Sequence, residues 1–316
     1  MTVSTALRYH RFGPPAESLT LERTPLPPRA EGRLRVAMML APVNPSDLIP
    51  ITGAYAHRVQ PPLVAGYEGV GRVVEAPAAH AHLTGRRVLP LRGDGTWQTY
   101  LDCDPALAIP VPDDIPDDLA ARAYINPLAA HLMLKAWPAR DRHVVLTGAG
   151  SACVGLLGQW ALQQGACSVT GICRSDSRRS PLEALGIRPV PLADMAAVKA
   201  AAATADLAFD AVGGAAGSAI LNALPAAGVL VSYGLLSGQP VLPGVQARAK
   251  HARFHLRESL GPLAPEAWQA LFRDLWPRLR TAHMPDTDVF PLEDWQAALA
   301  AYARPGARKP LLAMPS

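Results

Sequence analysis

Residues 142–179 read RHVVLTGAGSACVGLLGQWALQQGACSVTGICRSDSRR. The run His143–Thr147 is apolar, β-branched and too short for a helix, which predicts a buried parallel strand. A turn of small residues follows, Gly148-Ala149-Gly150-Ser151-Ala152. Val154, Leu156, Leu157, Trp160 and Ala161 then recur at helical spacing, and Gly165 stands where a C-cap glycine would. Ser168–Cys173 predicts a second strand. Strand, glycine turn, helix and strand form a βαβ unit suited to a dinucleotide. Small residues let the backbone approach a pyrophosphate, and the helix start offers free N–H groups and a positive dipole end. Gly150, Ser151, Ala152, Cys153 and Val154 are therefore candidate cofactor contacts, with Cys153 read as a small residue of the turn. A strict G-x-G-x-x-G would need glycine at 153. The looser set here is Gly148, Gly150 and Gly155, and an ordinary crossover with a glycine turn is the alternative.

The residues after the second strand bear on which dinucleotide is bound. An NAD site wants a carboxylate there for the ribose 2′-OH. This chain runs into Arg174-Ser175-Asp176-Ser177-Arg178-Arg179. Guanidinium groups fit a 2′-phosphate bidentately, and serine hydroxyls add donors. Arg174, Ser175 and Arg178 thus point to NADPH, although Asp176 could serve a ribose and a solvated basic loop has the same composition.

Working outward, strands and helices alternate from about residue 118, with strands also at 206–212 and 228–233. That pattern predicts an α/β doubly wound parallel sheet, a Rossmann domain at 118–287. Residues 1–117 instead show short β-like runs such as 33–39, 69–75 and 86–91, cut by glycine and proline, which predicts a β-rich barrel. Residues 105–116 read as a loop. The tail, with helices at 266–279 and 292–303 and an apolar strand at 310–314, is expected to return to the first domain, so that 1–117 and 288–316 form one unit. Of the 316 residues, 49% are hydrophobic and 18% charged, and the net charge is +4. The arginines are dispersed rather than gathered into a basic stripe, so no nucleic-acid partner is expected. No apolar run reaches membrane-spanning length and the N-terminus lacks the core of a signal peptide, so a cytoplasmic location without a membrane partner is expected. Cys103, Cys153, Cys167 and Cys173 have neither metal nor disulfide spacing.

Several stretches carry a family resemblance: Asn44-Pro45-Ser46-Asp47, Gly53-Ala54-Tyr55, Gly66-Tyr67-Glu68-Gly69-Val70-Gly71, Gly95-Thr96-Trp97 and Phe209-Asp210-Ala211-Val212-Gly213-Gly214. Together they resemble the medium-chain dehydrogenase/reductase superfamily over essentially the whole chain, which implies a GroES-like catalytic domain beside the Rossmann domain. Zinc alcohol dehydrogenases of that superfamily carry cysteine where this chain has Asn44 and histidine where it has Tyr67. A four-coordinate zinc site cannot be built without such ligands, so a zinc-independent member is implied. Quinone oxidoreductases and 2-enoyl thioester reductases are the two zinc-free groups it resembles. The latter share Asn126-Pro127-Leu128-Ala129-Ala130 and an arginine after the second strand. Their Phe-Trp element is not matched by Arg253-Phe254-His255-Leu256-Arg257.

Reduction of an activated double bond needs a hydride at one carbon, and donors for the enolate-like charge that develops. The resemblance implies Tyr55 as that donor or proton source, against a tyrosine that merely covers a cleft. It implies Asn44 at the nicotinamide, where an Asx-turn before Pro45 is the alternative. Asn126, Tyr233, Gly234, Leu235, Leu236 and Lys309 are implied as cofactor contacts. Asn126 also reads as a helix N-cap before Pro127, and Lys309 as a surface lysine. Glu68 reads as structural, held by its glycine turn. His57 and Arg58 are placed to face an acidic substrate group. The expected activity is NADPH-dependent reduction of an enoyl thioester, enone or quinone by a homodimer. A non-catalytic NADPH-binding regulatory protein is the rival class.

Overall fold

The computed structural model describes residues 2–245, 247–261, 263–304 and 306–315. They form two compact units, one of Met1–Ile125, Leu263–Thr281 and Pro285–Ser316, the other of Asn126–Pro262 and Ala282–Met284.

The second unit is organised on His143–Thr147, four of whose five residues are buried. This strand is central in a six-stranded sheet with the order 188–191, 168–173, 143–147, 207–210, 229–232, 250–253. Every neighbouring pair is parallel. Apolar, β-branched strands suit this because crossover helices cover both faces of a parallel sheet. Helices Ala152–Gln163, Met195–Ala203 and Gly214–Ala223 supply the cover. One face is packed by Val145, Ile172, Val198, Ile220 and Leu230. Gly165, at φ +91°, ends the first helix as expected. The third-glycine role of the dinucleotide fingerprint falls on a different residue from the one read in sequence. A Cβ at Gly155 would meet open space, whereas one at Gly158 would come within 2.3 Å of Ile187 Cδ1. Gly158 is therefore where helix and sheet approach closely.

Among the described residues of this unit, two strands and the helices Met195–Ala203 and Leu256–Leu260 lie where the sequence predicts no element. Arg188–Pro191 contains two prolines, which read as breakers, but it is an edge strand, where a missing N–H is tolerated. Lys250–Arg253 is the opposite edge, and its Lys-His-Ala-Arg sequence has no apolar alternation. Met195–Ala203 is so rich in alanine that it offers little periodic contrast.

The first unit is mainly antiparallel β. Its seven-stranded sheet runs 287–291, 309–313, 34–42, 70–75, 87–90 and 108–110, with 100–103 also pairing 34–42. A three-stranded sheet of 19–25, 3–9 and 63–64 accompanies it. Leu7, Val36, Trp97, Trp295 and Leu312 are among its core residues. Residues 105–116 are not all loop, since Ala108–Pro110 pairs with Arg87–Pro90. The helix Pro265–Thr281 and residues 118–125 belong to this unit.

Candidate active site

In the β unit, Asn44 precedes a short helix, Pro45–Leu48, whose first residue is a proline already at a helical φ. Asp47 Oδ2 accepts from the Asn44 backbone N–H at 2.7 Å, and its Oδ1 accepts from the Tyr67 N–H at 2.8 Å. One buried carboxylate thus ties the helix start to the 66–68 turn. The Asn44 side chain, 1% exposed, is committed on both ends. Its Nδ2 donates to Glu68 Oε1 at 2.6 Å, and its Oδ1 accepts from Lys309 Nζ at 2.5 Å. These partners fix which way the amide points. Lys309 is therefore not a surface lysine, and its ammonium also donates to the Val43 carbonyl. Glu68 is held from outside its turn. Its Oε2 accepts from the backbone N–H groups of Tyr124 and Ile125 at 3.1 and 2.8 Å.

Two buried carboxyls and one part-buried ammonium thus share one cluster. Burial first, then the neighbouring Glu68 charge, pushes Asp47 up to about 7. Burial likewise raises Glu68 and lowers Lys309 to about 8. Desolvation disfavours every charged form here, and the mutual attraction only partly offsets it.

Tyr55 stands beyond this cluster on a tightly turned segment. A 3-10 turn, Ile49–Thr52, ends at Gly53, whose φ of +87° favours glycine. The Tyr55 carbonyl accepts from the N–H groups of both Arg58 and Val59. The Arg58 guanidinium carbon lies 3.7 Å from the centre of the Tyr55 ring. The His57 ring meets the phenol edge-on at 6.3 Å.

In the α/β unit, Ser151 caps the first helix, its Oγ accepting from the Val154 N–H at 3.4 Å. The helix thus begins at Ala152, and Cys153 lies within its first turn rather than in the glycine turn. There Cys153 is buried, and burial pushes its thiol up to about 12. Its neighbour is the buried hydroxyl of Tyr233, which burial also holds well above the usual phenol range. Gly148 adopts φ +69°, and a Cβ there would lie 3.5 Å from Leu236 Cδ1. Ser175 caps the turn Asp176–Arg178. The Arg178 side chain crosses Gly150 so closely that a Cβ there would lie 3.3 Å from its Nε. Arg174 and Ser175 are exposed beside it. The Arg178 side chain thus brings the basic segment against the glycine turn. Asn126 is the second residue of helix Ile125–Ala136, not its cap.

Asp210 is a residue that the sequence reading quoted but gave no role. Fully buried, it accepts from Thr147 Oγ1 at 2.6 Å and from the N–H groups of Val212 and Gly213. It thereby sets the loop after its strand, at the edge where ligands bind. Its signal was a carboxylate ending an apolar strand, separated by two residues from a glycine pair.

Zinc does not fit the residues at Asn44 and Tyr67. A divalent cation at Asn44 would face the Lys309 ammonium already on that amide oxygen. Among the described residues, no group of three His, Cys, Asp or Glu side chains is arranged to hold a metal. No helix among them is long and apolar enough to cross a membrane.

Residues 30–113 match the alcohol dehydrogenase GroES-like domain, and residues 153–275 match the zinc-binding dehydrogenase domain. The mitochondrial enoyl-[acyl-carrier-protein] reductases of Bos taurus and Homo sapiens are each 30% identical over 322 residues, covering 95% of this chain and 86% of theirs. The Arabidopsis thaliana enzyme of the same name is 32% identical over 251 residues, 75% of this chain and 67% of its own. Among solved structures, a candidate NADPH:quinone reductase from Bacillus thuringiensis aligns over 99% of both chains with TM-score 0.92 and 32% identity. The Etr1p/NADP/crotonyl-CoA complex aligns over 99% of this chain and 100% of that one, with TM-score 0.83 and 21% identity, a likeness of fold.

Proposed function

Because the chain belongs to the medium-chain dehydrogenase/reductase superfamily, we propose that it is an NADPH-dependent oxidoreductase acting on the double bond of an α,β-unsaturated carbonyl, most specifically a 2-enoyl thioester. The observation that carries this reading is the 30% identity with enoyl-[acyl-carrier-protein] reductases across 86% of their length. NADPH, when bound, supplies the hydride. The helix start at Ser151–Val154 holds its pyrophosphate, with Gly150 giving the close approach. Arg174, Ser175 and Arg178 hold the 2′-phosphate, and the placement of Arg178 over Gly150 supports that role. Asn126, Tyr233, Gly234, Leu235 and Leu236 line the rest of the cofactor site. Asn44 orients the nicotinamide end, and Lys309 acts through the Asn44 amide that it fixes. The Tyr55 hydroxyl donates to the oxygen on which enolate charge develops.

A screen of NADPH oxidation over crotonyl-CoA, a simple enone and a benzoquinone tests the reading. Turnover with crotonyl-CoA is expected, and its absence beside rapid quinone reduction replaces the substrate. Quinone reduction is the second reading, favoured by the 32% identity and TM-score of 0.92 with the Bacillus thuringiensis protein. The assembly is a homodimer in this proposal. Lys250–Arg253 is an edge strand, and Leu242 and Val245 are exposed nearby in sequence, the kind of edge and apolar surface that a second copy covers. Sedimentation at micromolar concentration decides it. A cytoplasmic location is also proposed, although the relatives are mitochondrial; cell fractionation separates the two.

A further inference from the structure

Tyr55 is half-buried on an irregular turn, and a phenol that must present its hydroxyl in one direction needs something to hold the ring. The backbone is held by the bonds from Arg58 and Val59 to the Tyr55 carbonyl and by Gly53 packed against Phe12. Those contacts fix the main chain but leave the ring free to turn about its side-chain torsions.

The ring itself is held by the Arg58 guanidinium, at 3.7 Å from its centroid. A planar guanidinium over an aromatic face combines stacking with attraction between the cation and the ring quadrupole. Among the described residues, no carboxylate pairs with Arg58, so nothing competes for it there. His57 closes a second side edge-on at an interplanar angle of 87°. Sequence neighbours thus box the phenol on a face and an edge.

We infer that Arg58 is a positioning residue for Tyr55: its guanidinium, stacked on the ring, fixes the direction of the hydroxyl. This rests on the reading of Tyr55 as the donor. Arg58 needs no contact with substrate to act in this way, so its effect must pass through the Tyr55 hydroxyl. Small misplacement of a reacting group is costly, reaching about 100-fold for an error of about 1 Å.

The test uses the full chain, NADPH and crotonyl-CoA or whichever quinone turns over fastest, with Arg58→Met, Arg58→Lys, Tyr55→Phe and the Arg58→Met/Tyr55→Phe double variant. Arg58 is exposed, so the substitutions spare the core. Arg58→Met is expected to lower kcat about 10-fold to 100-fold with KM within about twofold. Arg58→Lys, which keeps the cation but loses the planar stack, is expected to fall between the parent and Arg58→Met in kcat. In the Tyr55→Phe background, Arg58→Met causes no further loss, the signature of two residues acting as a unit. Equal losses in both backgrounds, or a rise in KM with kcat kept, overturn the inference. An undiminished kcat in Tyr55→Phe sinks the donor reading itself. An undiminished kcat in Arg58→Met beside a crippled Tyr55→Phe sinks only the positioning role. A readout without turnover accompanies these. In protein labelled with 13Cζ-tyrosine, the Tyr55 resonance, assigned by its loss in Tyr55→Phe, should move in Arg58→Met. An unmoved resonance contradicts the stacked contact.

Discussion

The cluster around Asn44 and the basic segment around Arg174 are both charged, and they are built in opposite ways. Asp47 and Glu68 are 2% exposed and Asn44 1%, and every partner named for them is a protein group. Arg174 and Ser175 are exposed, and Arg178 lies over a glycine turn instead of against a carboxylate. Buried charge must be satisfied internally or neutralised, so the first region spends most of its polar capacity on its own shape and fixes the Asn44 amide in one orientation. The second region keeps its donors available, as the proposed 2′-phosphate contact requires.

That contrast is broken most severely at Lys309. Lys309→Met leaves two buried carboxyls without their cation and removes the donor to Asn44 Oδ1. Losing one partner of a buried charge group costs about 3–5 kcal/mol, to be read by urea unfolding. A loss below about 1 kcal/mol would mean that the cluster relaxes or is hydrated. Next in size is Tyr55→Phe, expected to lower kcat about 10²–10³ with NADPH affinity nearly unchanged. A modest rise in KM with kcat kept would identify a tyrosine that only covers the site.

The basic segment should behave as a specificity element and contribute little to stability. Arg174→Ala should weaken NADPH by about 10-fold to 100-fold, on the scale of one charge-assisted hydrogen bond, and leave NADH almost unaffected. Fluorescence titration of both cofactors measures this, and equal affinities in the parent protein would contradict it.

Asp47 gives a pH-dependent effect. Its carboxyl is raised from 3.8 to about 7 by burial and by Glu68, so the folded chain binds that proton more tightly than the unfolded chain. The associated stability is present below about pH 4 and lost as pH rises through about 7. Lys309, lowered to about 8, stays protonated over most of that window. Asp47→Asn should flatten this dependence, changing the parent–variant difference between pH 5 and pH 8 by about 2–3 kcal/mol. A parent that gains stability over the variant with rising pH would reverse the sign. The smallest expected effect is none at all: activity should survive EDTA, since the Lys309 ammonium lies on Asn44 where a zinc ligand would stand. One bound zinc per active chain, found by elemental analysis, would overturn that.

How much was legible in the sequence differs between the same two regions. The strand at 143–147, its helix and its neighbour at 168–173 were readable because a 3.6-residue or continuous apolar pattern is a local property. The serines and arginines at 174–179 were readable as an exposed basic segment because charge and solvation follow residue type. The edge strands were hidden by prolines and lysines that only an edge position tolerates. Asp47 and Asp210 were missed as organising groups because a carboxylate in sequence looks the same whether solvated or buried.

By itself the sequence determined the α/β and β-rich halves, the dinucleotide turn and the basic segment behind it, since periodicity, glycine conformation and side-chain charge act over a few residues. Only the tertiary structure decided that Lys309 meets Asn44 across 265 positions, that Glu68 takes the N–H groups of Tyr124 and Ile125, and that Arg178 crosses Gly150. Those pairings are long-range. The chain can bury such charges only where folding brings a partner to each, and no local pattern records which partner that will be.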